Sequence, residues 1–176
     1  MVGFPKYTNR LNIKPLRGTD LEFREIVGWL NDIDVVRFSE QRHRRHTLDT
    51  QRDYYRSINA YCDYYLGIYK AIGDVLIGTM TAIVDKNNAT ANIGIMIGDK
   101  ASWGHGYGVE AWRGVCDEMY NLGVRKVEAG CMAVNYRMMA ICQHYGMVEE
   151  GRQEHHFILN GEPIDLVHWG SFNETS

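Results

Sequence analysis

The stretch that decides the fold is Trp103-Gly104-His105-Gly106-Tyr107-Gly108, a glycine-rich loop between a predicted strand and a predicted amphipathic helix. The first N–H groups of a helix have no partner within the helix, and the helix dipole places partial positive charge at that end. Glycines allow the backbone to approach phosphate oxygens without interference from a Cβ atom. The loop therefore predicts a site for a phosphate-bearing ligand. Taken alone, it fits a tight turn that needs glycine only for its geometry equally well.

Two common nucleotide-binding motifs do not match this loop. A dinucleotide fingerprint, G-x-G-x-x-G, begun at Gly104 would require glycine at the position of Val109. A Walker loop would require Lys and then Ser or Thr after Gly108, where the chain has Val and Glu. The phosphate ligand is therefore expected to be held in neither of these two ways.

The residues before the loop predict two helices and three antiparallel strands. Asn12–Leu16 is typical of a short strand, and Thr19 with Glu22 three residues later predicts a capping box at the start of a helix. That helix ends at Asn31-Asp32, and a second helix begins near Thr50. Three strands separated by turn signals follow: Tyr64–Lys70, Val75–Val84 and Asn92–Ile97.

The residues after the loop predict helix, strand, helix and a final hairpin. Apolar residues between Val109 and Tyr120 recur at helical spacing, and Asn135 caps a shorter helix that Gly146 closes. Asn160-Gly161 is the strongest short-range signal of a hairpin turn. The predicted order is β α α β β β α β α β β. It indicates an α+β fold in a single domain, residues 1–176, with a central mixed, mostly antiparallel twisted sheet flanked by helices.

The composition excludes several functional classes. The chain has 176 residues with 19 Lys and Arg against 22 Asp and Glu, a net charge of −3, whereas a general nucleic-acid binder shows a basic excess. No apolar run approaches the ~20 residues of a membrane-spanning helix, and the N-terminus has no signal-peptide core. The 4 cysteines are scattered without a C-x-x-C pair, which favours reduced thiols. These observations predict a cytoplasmic protein without a nucleic-acid or membrane partner.

Motifs along nearly the whole chain resemble the GNAT superfamily of acetyl-CoA-dependent N-acetyltransferases, and most closely its RimJ/RimL-like branch. They are the start at Lys14-Pro15-Leu16-Arg17, the helix end at 29–32, the strand at 92–98, the glycine-rich loop with Val109-Glu110-Ala111, Asn135-x-Arg137, Tyr145-Gly146-Met147 and the hairpin at Asn160-Gly161-Glu162. The resemblance implies a GNAT-like fold, with acetyl-CoA as the acetyl donor.

The resemblance also implies the coenzyme site. In the family, backbone amides of the matching loop bind the coenzyme A diphosphate. The matching strand pairs with the pantetheine arm, and one of its amides polarises the thioester carbonyl. The family's usual Arg or Gln three residues before Gly106 is Trp103 here, which weakens a side-chain contribution but leaves the backbone cradle intact. The expected coenzyme contacts are Ile95, Met96, Ile97, Trp103, Gly104, His105, Gly106, Tyr107, Gly108, Val109, Asn135 and Arg137.

Acetyl transfer to an amine also needs a donor to the oxyanion and, for the departing thiolate, an acid. Many relatives carry a tyrosine seven residues after Asn135, and that position is Cys142 here. A thiol with an ordinary pKa of ~8.5 is about as basic as the thiolate it would protonate. Tyr145 lies one helical turn further along. Cys142 and Tyr145 are therefore the candidate catalytic acids, with packing in the core as the alternative role of each.

The proton acceptor has several candidates. Relatives often carry an acidic residue at the position of Asn92, but an asparagine cannot take a proton. The remaining candidates are Glu40, His43, His46 and Glu128. Histidine as a residue type titrates near neutrality, which suits a general base. A chain of waters that carries the proton to bulk solvent is an equal alternative.

A dense basic run, Arg42-His43-Arg44-Arg45-His46, lies in the segment that overhangs the acceptor pocket in relatives. Either it is a solvated loop, or it contacts an anionic acceptor such as an amino-sugar nucleotide, whose diphosphate suits arginine. The expected substrate contacts are Glu40, Arg42, His43 and Asn92. No further residue with metal-ligand spacing accompanies the two histidines, so we expect no metal site.

The sequence therefore predicts an acetyl-CoA-dependent N-acetyltransferase. We expect this acyltransferase to move the acetyl group directly to a primary amine of a small molecule, without a metal. A protein N-terminus is the alternative acceptor, and a non-catalytic acyl-CoA-binding module is the alternative function. A homodimer is expected only on the base rate for soluble proteins.

Overall fold

Eight strands form one sheet in the computed structural model of the protein, which describes residues 4–61 and 64–173. The strands are Lys6–Tyr7 (β1), Leu11–Pro15 (β2), Tyr64–Lys70 (β3), Leu76–Asp85 (β4), Thr90–Ile97 (β5), Lys126–Met132 (β6), Val148–Leu159 (β7) and Glu162–Phe172 (β8). The α-helices are Asp20–Leu30 (α1), Ile33–Val36 (α2), Leu48–Tyr61 (α3), Tyr107–Asn121 (α4) and Tyr136–Tyr145 (α5).

The sheet has the order β1-β2-β3-β4-β5-β6-β8-β7 and opens in its middle. β5 and β6 pair in parallel only where Thr90–Asn92 meet Lys126–Glu128, whereas the other neighbouring strands are antiparallel. β5 continues along β4 to its end, and β6 continues along β8 to Met132. The two strands therefore part and leave a gap between Ile93–Ile97 and Ala129–Met132, called here the strand opening.

Apolar residues cover both faces of the sheet. On one face, here the α4 face, Trp112, Val115 and Met119 pack in the larger core. On the opposite α1 face, a smaller core contains Leu16, Ile26, Ile58 and Tyr65. Side chains alternate between the faces along a strand, so Ala91 and Ile93 of β5 enter the larger core while Asn92 between them is exposed.

Several predicted local signals are confirmed. Thr19 accepts a hydrogen bond from the Glu22 amide, and the Glu22 carboxylate accepts one from the Thr19 amide, which completes the capping box. Asn160 and Gly161 have φ angles of 54° and 86°, as a hairpin turn of this type requires. Gly146 closes α5 with a φ of 93°. The α+β class with a mixed, mostly antiparallel sheet is also confirmed.

Other features differ from the sequence-based expectation. β1 and α2 were not predicted, because two and four residues carry too little periodicity. The final hairpin is longer than the strands Glu154–Leu159 and Ile164–Trp169 that the sequence pattern predicts. β7 keeps pairing with β8 across two irregularities, between Glu149 and Gly151 and between Gln153 and Phe157. Cys62 lies outside the described residues. Among the described residues, no helix combines the length and the apolar character needed to cross a membrane.

Candidate active site

The strand opening exposes backbone hydrogen-bonding groups of β5. The Gly98 amide donates to the Ile77 carbonyl at 2.9 Å, which fixes the alternation of the antiparallel β4–β5 ladder. Even-numbered residues of β5, including Met96, therefore bond to β4. Ile95 and Ile97 direct their N–H groups toward the strand opening. Of the three predicted contacts on this strand, Met96 differs from Ile95 and Ile97 because its backbone groups bond to β4 and do not face the strand opening. Its side chain packs against the smaller core.

The glycine-rich loop has the backbone shape of an anion site. Gly104 and Gly106 have φ angles of 77° and 79°, in the left-handed region, and Tyr107 after them begins α4. Alternation of left-handed and right-handed residues turns successive N–H groups toward one point. Gly106 caps α4 without any side-chain hydrogen bond, so the first amides of α4 stay free for a ligand. This geometry fits a diphosphate.

Four of the predicted coenzyme contacts meet at the end of the strand opening. The Trp103 indole donates to the Ile97 carbonyl at 2.7 Å. A Cβ atom on Gly108 would lie 3.1 Å from the Cδ1 atom of Ile141 and 3.8 Å from the Cγ1 atom of Ile97, so helix and strand meet closely here. The Arg137 guanidinium stacks 4.7 Å above the Trp103 ring. α5 thereby places a cation where the loop itself carries none.

Other predicted contacts use their polar groups for local structure. The Asn135 side-chain oxygen accepts from the Met138 amide at 3.3 Å and caps α5. The His105 carbonyl accepts from the Arg10 guanidinium at 2.9 Å, and the same guanidinium lies 4.6 Å from the Tyr107 ring centroid. These groups therefore shape the loop from the side of the β1–β2 turn.

Of the two candidate acids, Cys142 is buried and Tyr145 is partly buried. Cys142 is fully buried in the larger core, and burial raises the pKa of its thiol to about 12. The Tyr145 hydroxyl donates to the Asp117 carboxylate at 2.9 Å. Burial, the neighbouring Cys116 thiol and this hydrogen bond raise the pKa of Tyr145. Both groups hold a proton at neutral pH, and α4 packs beside each of them.

The α1 face carries two lips beside the strand opening. The first lip runs from the end of α1 to the basic segment at 42–46. It includes Trp29, whose indole lies only 1.9 Å from the position that a Cβ atom of Gly98 would take. The second lip is the β7–β8 hairpin. Arg42 joins them, because its guanidinium donates to the Ser39 carbonyl at 2.9 Å and to the Ile158 carbonyl at 3.0 Å. The predicted substrate residue Arg42 is therefore a bridge with a nearly buried side chain.

Glu40 and His43, also predicted as substrate contacts, lie beside this bridge with side chains about 60% exposed. Glu40 forms an ion pair with Arg42 at 2.8 Å. Arg44 and Arg45 are exposed on the same segment. The lip thus presents both signs of charge to the entrance of the strand opening.

One proton-acceptor candidate, Glu128, lies on the sheet itself. Asn92 and Glu128 are direct partners in the last β5–β6 pair, so both lie where the strand opening begins. Lys126 binds Glu128 at 2.8 Å and Glu150 at 2.7 Å, which makes a charged cluster on the α1 face. By contrast, a ring nitrogen of His46 lies 3.3 Å from the Gln41 carbonyl, within its own loop.

The sequence patterns did not indicate that Lys126, Glu150 and Arg10 lie at or near the candidate site. The pattern Lys126-x-Glu128 in a strand indicates that these two side chains share a face, so Lys126 was within reach of a sequence argument. Glu150 and Arg10 come near the site through distant pairings that no local pattern signals.

Comparison with known proteins gives consistent matches. Residues 10–148 match the model of the acetyltransferase (GNAT) domain family. The Bacillus subtilis protein named "Probable N-acetyltransferase YjcK" is 29% identical over 161 residues, covering 85% of this chain and 86% of that protein.

Two solved structures share the fold at low sequence identity. Spermidine N-acetyltransferase from Vibrio cholerae, in complex with CoA and spermine, has a TM-score of 0.82 at 18% identity and covers 94% of this chain and 96% of its own. RimL, a ribosomal L7/L12 α-N-protein acetyltransferase in complex with coenzyme A, has a TM-score of 0.81 at 13% identity and covers 96% of this chain and 97% of its own.

Proposed function

This chain belongs to the acetyltransferase (GNAT) family and is an acetyl-CoA-dependent N-acetyltransferase, and from that premise we propose that its acceptor is the primary amine of a small molecule, first of all an amino-sugar nucleotide. The observation that carries the proposal is the Arg42 bridge. It links the two lips across the α1 face, which narrows the entrance for a folded protein substrate. The exposed Arg44 and Arg45 beside it suit a diphosphate.

The coenzyme fits the loop on the α4 side. Acetyl-CoA supplies an acetyl group activated as a thioester. The loop amides that follow Gly104 and the first amides of α4 converge and bind the diphosphate. The Arg137 guanidinium, which stacks on Trp103, adds positive charge beside it. The N–H groups of Ile95 and Ile97 donate to the pantetheine arm and to the acyl oxygen. Because the β4–β5 ladder already fixes their direction, these donors need no reorganisation during the reaction.

Glu128 is the proposed proton acceptor for the amine. It lies on the α1 face where the strand opening begins, opposite the uncharged Asn92. Its carboxylate forms an ion pair with the Lys126 ammonium at 2.8 Å, which holds it on this face of the sheet. A water between Glu128 and the amine is compatible with this role, since general bases act directly or through one water.

The role of Cys142 or Tyr145 as the acid that protonates the departing thiolate stays a prediction. Cys142 has a proton to give at neutral pH, but its buried thiol must gain access to the thiolate before it can donate. Tyr145 must release Asp117 before it can act. Protonation of the thiolate by solvent is the alternative, and a Cys142→Ala variant with unchanged kcat across pH would exclude the thiol.

The RimJ/RimL-like branch, a cytoplasmic location and a homodimer likewise stay predictions. The described cysteines Cys116, Cys131 and Cys142 are free thiols, which is compatible with a reducing compartment.

A cationic acceptor, either a polyamine or a protein N-terminus, is the second candidate. The observation that favours it is the charged cluster of Glu128, Glu150 and Lys126, which has one more carboxylate than it has ammonium groups. A positively charged amine that enters the α1 face would meet this excess negative charge.

Release of free thiol from acetyl-CoA, measured with a panel of amines, tests the proposal. The panel contains amino-sugar nucleotides, the same amino sugars without the nucleotide, polyamines and peptides with free N-termini. We expect the highest kcat/KM for an amino-sugar nucleotide. An Arg44→Ala, Arg45→Ala double variant should raise the KM for that acceptor and leave the KM of the free amino sugar unchanged. The highest kcat/KM with polyamines or peptides would contradict the proposal.

A further inference from the structure

Arg10, in the β1–β2 turn, forms an unusually complete set of contacts with the glycine-rich loop and α4. Its guanidinium donates to the His105 carbonyl at 2.9 Å and to a carboxylate oxygen of Glu110 at 2.6 Å. Its backbone amide donates to the other oxygen of Glu110 at 2.9 Å. The guanidinium also lies 4.6 Å from the Tyr107 ring centroid. One side chain thus contacts residues on both sides of Gly106.

The bond to the His105 carbonyl fixes the orientation of a peptide unit in the loop. In a trans peptide the C=O and the following N–H point in opposite directions. Because the His105 C=O points at Arg10, the Gly106 N–H points away from Arg10. Gly106 itself, with its left-handed φ of 79°, could adopt other backbone angles at little cost, since glycine has no Cβ atom. The loop therefore needs an external contact to hold this peptide in one orientation.

Glu110 holds Arg10 in place. The Thr8 hydroxyl donates to the same Glu110 oxygen as the Arg10 amide, at 2.6 Å, so the carboxylate receives bonds from two residues of the turn. Burial alone would raise the pKa of Glu110. The bonds from Thr8 and Arg10 outweigh burial, and the net shift is downward. The Glu110 carboxylate is thus charged and fully engaged, and it is 17% exposed whereas Arg10 is 47% exposed.

We propose that Arg10, held by Glu110, is a positioning residue for coenzyme binding: it turns the His105–Gly106 peptide so that its N–H faces the diphosphate. The proposal rests on the proposed coenzyme site and adds to it a contact from a segment about a hundred residues earlier in the chain. Arg10 acts through the loop, and its own cation is neutralised by Glu110.

Two acetyl donors test the proposal. S-acetyl-pantetheine has the same thioester as acetyl-CoA but lacks the diphosphate. In Arg10→Ala we expect the KM for acetyl-CoA to rise about tenfold, because the variant loses the hydrogen bond from the charged guanidinium to the His105 carbonyl. The kcat should be nearly unchanged. The kcat/KM for S-acetyl-pantetheine should change less than twofold. An equal loss with both donors would show a general structural role and overturn the proposal.

A second variant separates positioning from direct contact. Glu110→Ala leaves the Arg10 cation present but no longer held. If Arg10 positions the loop, Glu110→Ala also raises the acetyl-CoA KM. If Arg10 instead binds phosphate directly, release from Glu110 leaves the acetyl-CoA KM unchanged or lower, and the proposal is wrong. Activity with S-acetyl-pantetheine reports that each variant is folded.

Lys6→Ala is the matched control, because Lys6 also joins this part of the chain to α4, at Glu118, at 3.4 Å and away from the loop. It should leave the KM for both donors unchanged. The proposed coenzyme site has its own test, Gly106→Val. If Gly106→Val leaves coenzyme affinity unchanged, the coenzyme site itself is wrong. If Gly106→Val weakens binding and Arg10→Ala does not, only the positioning role is wrong.

Discussion

The two sides of the strand opening present different kinds of chemical group. On the proposed coenzyme side, the candidate donors are backbone groups: the loop amides that follow Gly104, the first amides of α4 and the N–H groups of Ile95 and Ile97. On the proposed acceptor side, the candidate groups are charged side chains, with Arg42 between the two lips and the cluster of Glu128, Glu150 and Lys126 on the sheet.

This difference has a physical cause. A diphosphate and a pantetheine arm are the same in every reaction of this kind, so fixed backbone donors suit them. An acceptor amine must be bound, deprotonated and discriminated from others, which requires side chains of particular charge. We therefore expect changes on the coenzyme side to alter donor binding, and changes on the acceptor side to alter kcat or acceptor binding.

The sharpest test on the acceptor side is Glu128→Gln. We expect kcat to fall about a hundredfold, since an amide cannot take the proton and general-base catalysis contributes about that much. The KM for acetyl-CoA should stay the same, because Glu128 lies on the α1 face. Steady-state kinetics with saturating acceptor measures both constants.

Glu150→Gln is its control, since Glu150 binds the same Lys126 at 2.7 Å. If both variants lose kcat equally, the charge of the cluster matters and Glu128 is not the proton acceptor.

The sharpest test on the coenzyme side is Gly106→Val. A β-branched residue at a φ of 79° is strained, so we expect the loop to shift and the Kd for coenzyme A to rise about thirtyfold. Isothermal titration calorimetry measures the affinity. Gly123→Val carries comparable strain at the other end of α4, with a φ of 90° and open space around it. It should lower the melting temperature similarly and leave coenzyme affinity unchanged. Wild-type affinity in a folded Gly106→Val protein would rule out the loop as the diphosphate site.

Arg42→Ala should have a smaller effect, confined to the acceptor side. Loss of the bond to the Ile158 carbonyl frees the β7–β8 hairpin, so its amides should exchange about tenfold faster, as expected for one hydrogen bond. The acceptor KM should rise severalfold and the coenzyme Kd should not change. Hydrogen exchange with mass spectrometry follows the hairpin. Arg44→Ala, an exposed neighbour, should leave the hairpin exchange as it is; equal acceleration in both variants would argue against the bridge.

The last expected effect is the contribution of Cys142 to stability at high pH. Burial raises the pKa of the thiol in the folded protein to about 12, whereas the unfolded chain releases the proton near the ordinary thiol pKa of ~8.5. The unfolded state therefore gains stability as pH rises through that window. Wild type should lose about 1 kcal/mol more per pH unit than Cys142→Ala. Urea unfolding at several pH values measures the difference. Parallel pH profiles of the two proteins would mean that the thiol titrates normally.

The sequence predicted local structure, such as helix caps and turns, better than contacts between distant parts of the chain. Thr19 and Glu22, or Asn160 and Gly161, act within a few residues, so their local pattern is sufficient to place a cap or a turn. Arg42 was predicted as a substrate contact, which stays a prediction, and its hydrogen-bond partner Ile158 lies 116 residues away in the chain. No local pattern indicates that an arginine in a basic run is already engaged with a distant carbonyl.

By itself, the sequence determined the class of fold, the glycine positions at the start of α4 and the family, because each depends on residues near one another in the chain. Only the tertiary structure decided which amides of β5 point into the strand opening, which cations are engaged and which carboxylate lies where the strands part. Those features depend on the register between strands and on contacts over about a hundred residues, where packing of the whole sheet selects the partner.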